Sequence, residues 1–297
     1  MKLRFTNLLL LLTILIITGC DIINPEEDIP AYLYIPEFNL NTDIVNEGSA
    51  AHKITEAHLF VGGQKIGIFA LPATVPVLYE GEQEVQIFPG IRENGLSDIT
   101  DVYPFYERYI TTVTLEPTVV DTLRPVTTYT DNVNFVLGPQ EGFEDITLSF
   151  GTDLDDNPDN GIEISTLDVF EGTGSGLIRL REGEEQVEVG SNLLTDIPPA
   201  GTATYLEMNY KTEVVFIVGI LGYDSRGVAV YAEFEKGVNP KDTWNKIYFN
   251  FTPEMTAIRN FSPAVVEYRF AIFTNLIDSD LEQADIFLDN IKLVQAR

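Results

Sequence analysis

The densest group of hard oxygen donors in the chain runs Asp153-Leu154-Asp155-Asp156-Asn157-Pro158-Asp159-Asn160-Gly161. Calcium takes about six to eight oxygen ligands, and Asp153, Asp155 and Asp159 on one tight loop could supply several. The spacing is not that of an EF-hand loop, because Pro158 stands where the turn glycine belongs and Ile164 where the bidentate glutamate belongs. Read without a metal, the run is a solvated turn whose Asx side chains bond their own backbone. The other reactive residue types offer less. His52 and His58 are the only histidines, and neither sits in a metal-ligand spacing, so both are expected to be structural. Gly172-Thr173-Gly174-Ser175-Gly176 lacks the last glycine of a dinucleotide loop, carries no lysine and leads into no helical pattern. Paired carboxylates suited to glycoside cleavage arise by chance in a chain with 46 acidic residues. No catalytic residues are assigned, and the sequence reads as a non-enzyme that requires no cofactor beyond a structural calcium.

Aromatic residues carry more. Tyr103, Phe105, Tyr106 and Tyr109 place four rings within seven residues, beside Pro104 and ahead of a strand. Such a group either forms a docking surface or sugar platform or closes the bottom of a sandwich. Trp244, in the string NPKDTWNKIYF, either packs under the second domain or stacks on a ligand.

The single cysteine, Cys20, follows a charged start (Lys2, Arg4) and the apolar run Leu8 to Ile17. That run is about half the length needed to span a bilayer as a helix, and together with the small residues before the cysteine it describes a secretory leader. Ile17-Thr18-Gly19-Cys20 resembles the lipobox of bacterial lipoproteins, which implies a lipid-modified Cys20, a membrane anchor and no thiol left for a disulfide or catalysis. Behind it, Asn24 to Pro30 reads as an extended tether, since proline disfavours helix. The triplet Glu26-Glu27-Asp28 resembles the export signal of Bacteroidota lipoproteins, which implies the outer membrane and its exterior face.

The composition excludes one class of partner. The net charge is −28, and removal of Lys2 and Arg4 with the leader makes it more negative. A polyanion of this kind is repelled by nucleic acid. A hydrophobic content of 44% is ample for a core.

The elements that must position these residues are strands: short β-branched and aromatic runs between Gly, Pro, Asn and Asp, with no capped helical period. Gly62-Gly63 marks a hairpin, and Tyr32 to Ile35, between prolines, is expected as an edge strand. Val214 to Ile220 reads as a strand covered on both faces. In ADIFLDNIKLVQ the apolar phase shifts between Leu288 and Ile291, so a bulge at Asp289-Asn290 would keep Ile286, Leu288, Ile291 and Leu293 inside.

The string AHLFVGGQKIGIFALPATVPVLYEGEQEVQIFPG resembles PEGA-type or carboxypeptidase-regulatory-like modules, which implies a small, non-catalytic β-sandwich. GFEDITLSFG, GTGSGLIRL and IFLDNIKLV resemble the galactose-binding-like jelly rolls of carbohydrate-binding modules. That resemblance implies a structural calcium held by Glu144 and Asp289. The expected fold is all-β, with two β-sandwiches in series: signal peptide 1–19, tether 20–30, PEGA-like sandwich 31–128, linker 129–141 and jelly roll 142–297. The expected role is a lipid-anchored subunit that holds another outer-membrane protein. The alternative is glycan binding by the jelly roll.

Overall fold

The computed structural model describes residues 27–96, 100–277 and 279–297, and Cys20 with its leader lies outside them. The chain is an all-β protein of two sandwiches. The first contains β1 (Ala31–Ile35), β2 (Asn39–Leu40), β3 (Glu56–Val61), β4 (Gln64–Ala70), β5 (Ala73–Val77), β6 (Gly81–Arg92), β7 (Thr100–Val102), β8 (Tyr109–Leu115), β9 (Val120–Thr122) and β10 (Val126–Thr127). One sheet has the order β5-β1-β9, with β2 and β10 paired beside it, and the other runs β4-β3-β6 with β7 and β8 both on β6. Alternation explains the layering. Ala57, Leu59 and Val61 of β3 and Val85 and Ile87 of β6 are fully buried, and Leu33 and Ile35 of β1 join the same core. The β3–β4 hairpin turns on Gly62 (φ 57°) and Gly63 (φ 78°), both left-handed as its two-residue loop requires. β1 is not the expected edge strand. It lies between β5, antiparallel, and β9, parallel, because its alternate residues Ala31, Leu33 and Ile35 are all apolar and inward.

The second sandwich contains β11 (Val133–Phe135), β12 (Phe150–Asp153), β13 (Ile162–Ser165), β14 (Ser175–Arg181), β15 (Gln186–Ser191), β16 (Thr204–Thr212), β17 (Phe216–Tyr223), β18 (Ala229–Val238), β19 (Lys241–Asn250), β20 (Glu267–Asn275) and β21 (Gln283–Ala296). Its sheets have the orders β13-β14-β21-β16-β19 and β12-β15-β20-β17-β18. The segment expected as a linker thus contributes β11, which pairs with the end of β21 at Val133↔Ala296 to Phe135↔Val294. The expected bulge is present. Opposite β16, Glu207 faces Lys292 and Asn209 faces Asp289, so β21 holds one extra residue, with Asn290 at φ 49°. Ile286, Leu288, Ile291 and Leu293 are all buried in one core. A helix that the sequence pattern did not announce, α1 (Thr252–Phe261), follows β19. Its N-cap makes no side-chain hydrogen bond, Pro253 occupies its first turn, and Met255 and Ile258 anchor it in the core. Packing rather than a capping signature holds it.

The two sandwiches share a seam. The outer face of the β13-β14-β21-β16-β19 sheet carries cross-strand rows, and the rows Tyr248–Glu207–Lys292 and Asn250–Tyr205–Val294 lie against the first sandwich. Tyr205, Tyr248 and Val294 belong to the same apolar cluster as Leu33 and Ile87. Tyr103 and Phe105 are 0% and 2% exposed and pack edge-on against Tyr205 at centroid distances of 5.2 and 5.8 Å. Tyr106 is also buried, and its ring lies 4.6 Å from that of Tyr103. The expected aromatic docking surface is therefore interior. These rings join the two domains, and only Tyr109, at the start of β8, stays half-exposed.

Glu207, with no exposed surface, is the electrostatic centre of this seam. It accepts hydrogen bonds from the hydroxyls of Tyr103 (2.6 Å) and Tyr129 (2.9 Å). Lys246 Nζ lies 2.8 Å from its other oxygen, as a charge contact without hydrogen-bond alignment. Lys292, equally buried, donates to the Ser49 carbonyl at 2.7 Å and more weakly to Tyr129. Burial pushes the Glu207 carboxyl up, but the two lysines and the Tyr103 hydroxyl outweigh it and hold it below its ordinary value.

Candidate ligand-binding face

Beyond the seam, the same sheet face continues in a row outside the contact with the first sandwich, in which Leu177 and Phe287 are nevertheless buried. Lys211 of β16 is paired with Phe287 of β21, and Phe287 with Leu177 of β14. Trp244, on the edge strand β19, stands beside this row, its ring 6.4 Å from Phe287. It projects outward because Ile247 and Phe249 take the inward positions of β19. Trp244 is therefore not packed under the jelly roll as core. It is half-exposed on the outer face.

The loop between β13 and β14 builds the rest. Ser175 Oγ donates to the Asp168 carbonyl at 2.6 Å and fixes the loop's course. Asp168 then accepts from the Trp244 indole N–H at 2.7 Å through one oxygen and from Lys211 Nζ through the other. Burial raises the Asp168 carboxyl, but these two donors outweigh it and hold it below the usual range. Phe170 lies 5.6 Å from Trp244 and is 39% exposed, and Leu167 in the same loop is 69% exposed. The arrangement is a partly open aromatic surface with a fixed carboxylate and ammonium at its edge. It can stack on an apolar ring face while offering one acceptor and one cationic donor to hydroxyls.

Asp168 acts here as a positioning residue, and the chain's only tryptophan reports on it. Asp168→Ala frees the indole N–H and should shift tryptophan emission to longer wavelength, with little change in melting temperature. Unchanged emission would mean that ring packing alone sets the orientation.

The residues expected to bind calcium do not gather into a cage. Glu144 accepts from the Thr173 amide (2.8 Å), its hydroxyl (2.6 Å) and the Gly174 amide (3.3 Å). Asp289, fully buried, accepts from the amides of Glu171 (3.1 Å) and Asn290 (2.8 Å). Each carboxylate clamps part of the segment 171–174 and turns its oxygens toward N–H groups rather than toward a shared point. Burial raises the Asp289 carboxyl to about 7. Among the described residues, no group of three or more His, Cys, Asp or Glu side chains could hold a metal.

The acidic loop resolves as the solvated turn. Asp153, Asp155 and Asn157 each accept from the amide two residues on, at 3.1, 3.1 and 3.2 Å, the last of these amides being that of Asp159. Asp155 also accepts from the Glu188 amide at 3.1 Å, which ties the loop to β15. His58 is buried in β3, and His52 is half-buried on the way to it. Sequence reasoning missed Asp168, Lys211 and Phe170 because the first two lie 43 residues apart and meet only where the β13–β14 loop folds over β16.

No protein-family model matches the chain, and no curated protein sequence matches it. Among solved structures, those similar to the chain include carbohydrate-binding-module β-sandwiches, all at low TM-score. A C-terminal family 22 carbohydrate-binding module from Clostridium thermocellum is 18% identical, over 53% of this chain and 91% of that one, with a TM-score of 0.36. A carbohydrate-binding module of the β-sandwich superfamily is 17% identical, over 91% and 99% of the two chains, with a TM-score of 0.37. A family 30 module from a Clostridium thermocellum cellulosomal cellulase is 14% identical over 48% and 90%, with a TM-score of 0.35.

Proposed function

We propose that the chain is a non-catalytic glycan-binding protein whose second sandwich holds saccharide at the Trp244 face, and that acylated Cys20 tethers it to the outer membrane facing outward. The single observation that carries the binding reading is the half-exposed Trp244 ring, fixed by Asp168 and flanked by exposed Phe170 and Leu167. A fixed ring of this kind stacks on a sugar at little entropic cost, because its rotamer is set before the ligand arrives. The anchoring part of the reading rests on the lipobox-like Ile17-Thr18-Gly19-Cys20 and the acidic triplet behind it. The competing role, as a holder of another outer-membrane protein through aromatic and acidic surfaces, loses the rings of Tyr103, Phe105 and Tyr106, which are buried in the seam, and keeps Tyr109 and the acidic surface.

A glycan array followed by titration calorimetry tests the proposal. Trp244→Ala should weaken binding of the best saccharide about tenfold or more, since stacking contributes about 0.5–1.5 kcal/mol on top of the contact area that the indole loses. Absence of any saccharide binding by the wild-type chain, or full binding by Trp244→Ala, would overturn it.

A further inference from the structure

A cleft of about 320 Å³ opens beside β19, where the β18–β19 turn meets residues 92–96 of the first sandwich. Its lining includes Lys53, Arg92, Lys241 and Lys246, together with Asn239 and Asn245, and among the described residues no carboxylate. In a chain with 46 acidic and 18 basic residues, such a lining stands out. Arg92 is paired with Glu56 and Lys246 with Glu207 behind it, and Lys53 and Lys241 are left as the cations with no carboxylate partner among the described residues. The cations come from separate elements. Lys53 precedes β3, Arg92 ends β6, and Lys241 and Lys246 belong to β19, so the cleft exists only because the seam is closed.

Their partners leave capacity free. Lys53 Nζ donates to Asn245 Oδ1 at 2.6 Å, a neutral acceptor. Arg92 meets Glu56, which is buried behind the cleft, through Nε at 2.9 Å. Lys246 is 4% exposed, and its Nζ has a charge contact with Glu207 but no aligned hydrogen bond. Lys241 is exposed and makes no salt bridge among the described residues. The Lys53 ammonium is held below the ordinary lysine value by burial first and then by the charges of Lys241 and Arg92. Lys241 and Arg92 thus repel the Lys53 ammonium, Glu56 offsets part of that repulsion, and an anion placed between Lys53 and Lys241 would offset more of it.

We propose that this junction cleft binds an oxyanion, either the carboxylate of an acidic sugar or a free phosphate. The site is separate from the Trp244 face, so failure of either leaves the other standing. Arg92 offers a planar fork to such a group, and Lys53 and Lys241 offer point charges. The test is calorimetry at constant ionic strength with trigalacturonate, neutral cellotriose and inorganic phosphate. Trigalacturonate or phosphate should bind through the cleft, and cellotriose should not reproduce that binding. Lys53→Gln/Lys241→Gln should weaken it about tenfold or more, which is the loss expected for charged hydrogen bonds. The exposed single change Lys241→Gln should weaken it in part without touching the fold. Lys65→Gln, on the distant β3–β4 hairpin, should bind like wild type. Trigalacturonate binding that the double variant weakens identifies an acidic saccharide. Binding of phosphate alone, weakened in the same way, identifies a small anion. Lack of binding by both anions, or binding that the double variant leaves intact, overturns the inference.

Discussion

Glu207→Ala should lower the free energy of unfolding by about 3–5 kcal/mol, the usual cost of removing one partner from a buried charge cluster. The expectation follows from what stays behind. Lys246 and Lys292 are 4% and 0% exposed, and with Glu207 gone they flank β16 on one sheet face with no carboxylate between them. The hydroxyls of Tyr103 and Tyr129 lose their acceptor at the same time. Because the cluster joins the sandwiches and belongs to neither core alone, the damage should be local. Urea unfolding of the variant should separate into two steps, with limited proteolysis cutting first near the seam. Replacing Glu207, Lys246 and Lys292 together by apolar residues of similar size should restore most of the loss, since no unpaired charge then remains. A Glu207→Ala variant that melts in one step within 1 kcal/mol of wild type would show that the ring packing of Tyr103, Phe105 and Tyr205 holds the domains unaided.

What was legible in the sequence divides along the range of the signal. The Gly62-Gly63 hairpin and the bulge at Asp289-Asn290 depend on period-two patterning within a few residues, and both stand as expected. The rings at 103–106 were visible as a group, but not their burial. A sequence shows that aromatic residues cluster and does not show that another domain 100 residues away supplies Tyr205 and Glu207 to cover them. The same limit hid β1 as a central strand, since both of its partners, β5 and β9, lie far along the chain. The Trp244 face was half legible. The tryptophan stood out, while its ammonium neighbour Lys211 comes from β16 and its carboxylate neighbour Asp168 from the β13–β14 loop, and the three meet only in the folded sheet. The positive cleft was invisible, because Lys53, Arg92 and Lys241 are scattered through an acidic chain.

Lys292 should give the protein a pH dependence opposite to that of ordinary alkaline denaturation. Its ammonium is lowered to about 7, first by burial, although Glu207 pulls the other way. An unfolded chain holds that proton up to about 10.4. Between pH 7 and 10 the unfolded state therefore binds more protons than the native state, and the stability of the native state rises with pH. Below pH 7 both states carry the proton and this contribution is flat. The slope for one group is about 1.4 kcal/mol per pH unit, so the rise across the window is of the order of 3–5 kcal/mol. Above pH 10 the buried hydroxyls of Tyr103, Tyr106 and Tyr129, all pushed up by burial, reverse the sign, because the unfolded tyrosines ionise first. Comparison of wild type with Lys292→Met cancels contributions common to both chains, including the general repulsion of a −28 charge. The difference in unfolding free energy, measured by urea titration at pH 6, 7, 8, 9 and 10, should stay level to pH 7 and then move in favour of wild type. A difference that stays flat to pH 10 would mean that Lys292 remains charged in the seam, with Glu207 compensating its burial completely.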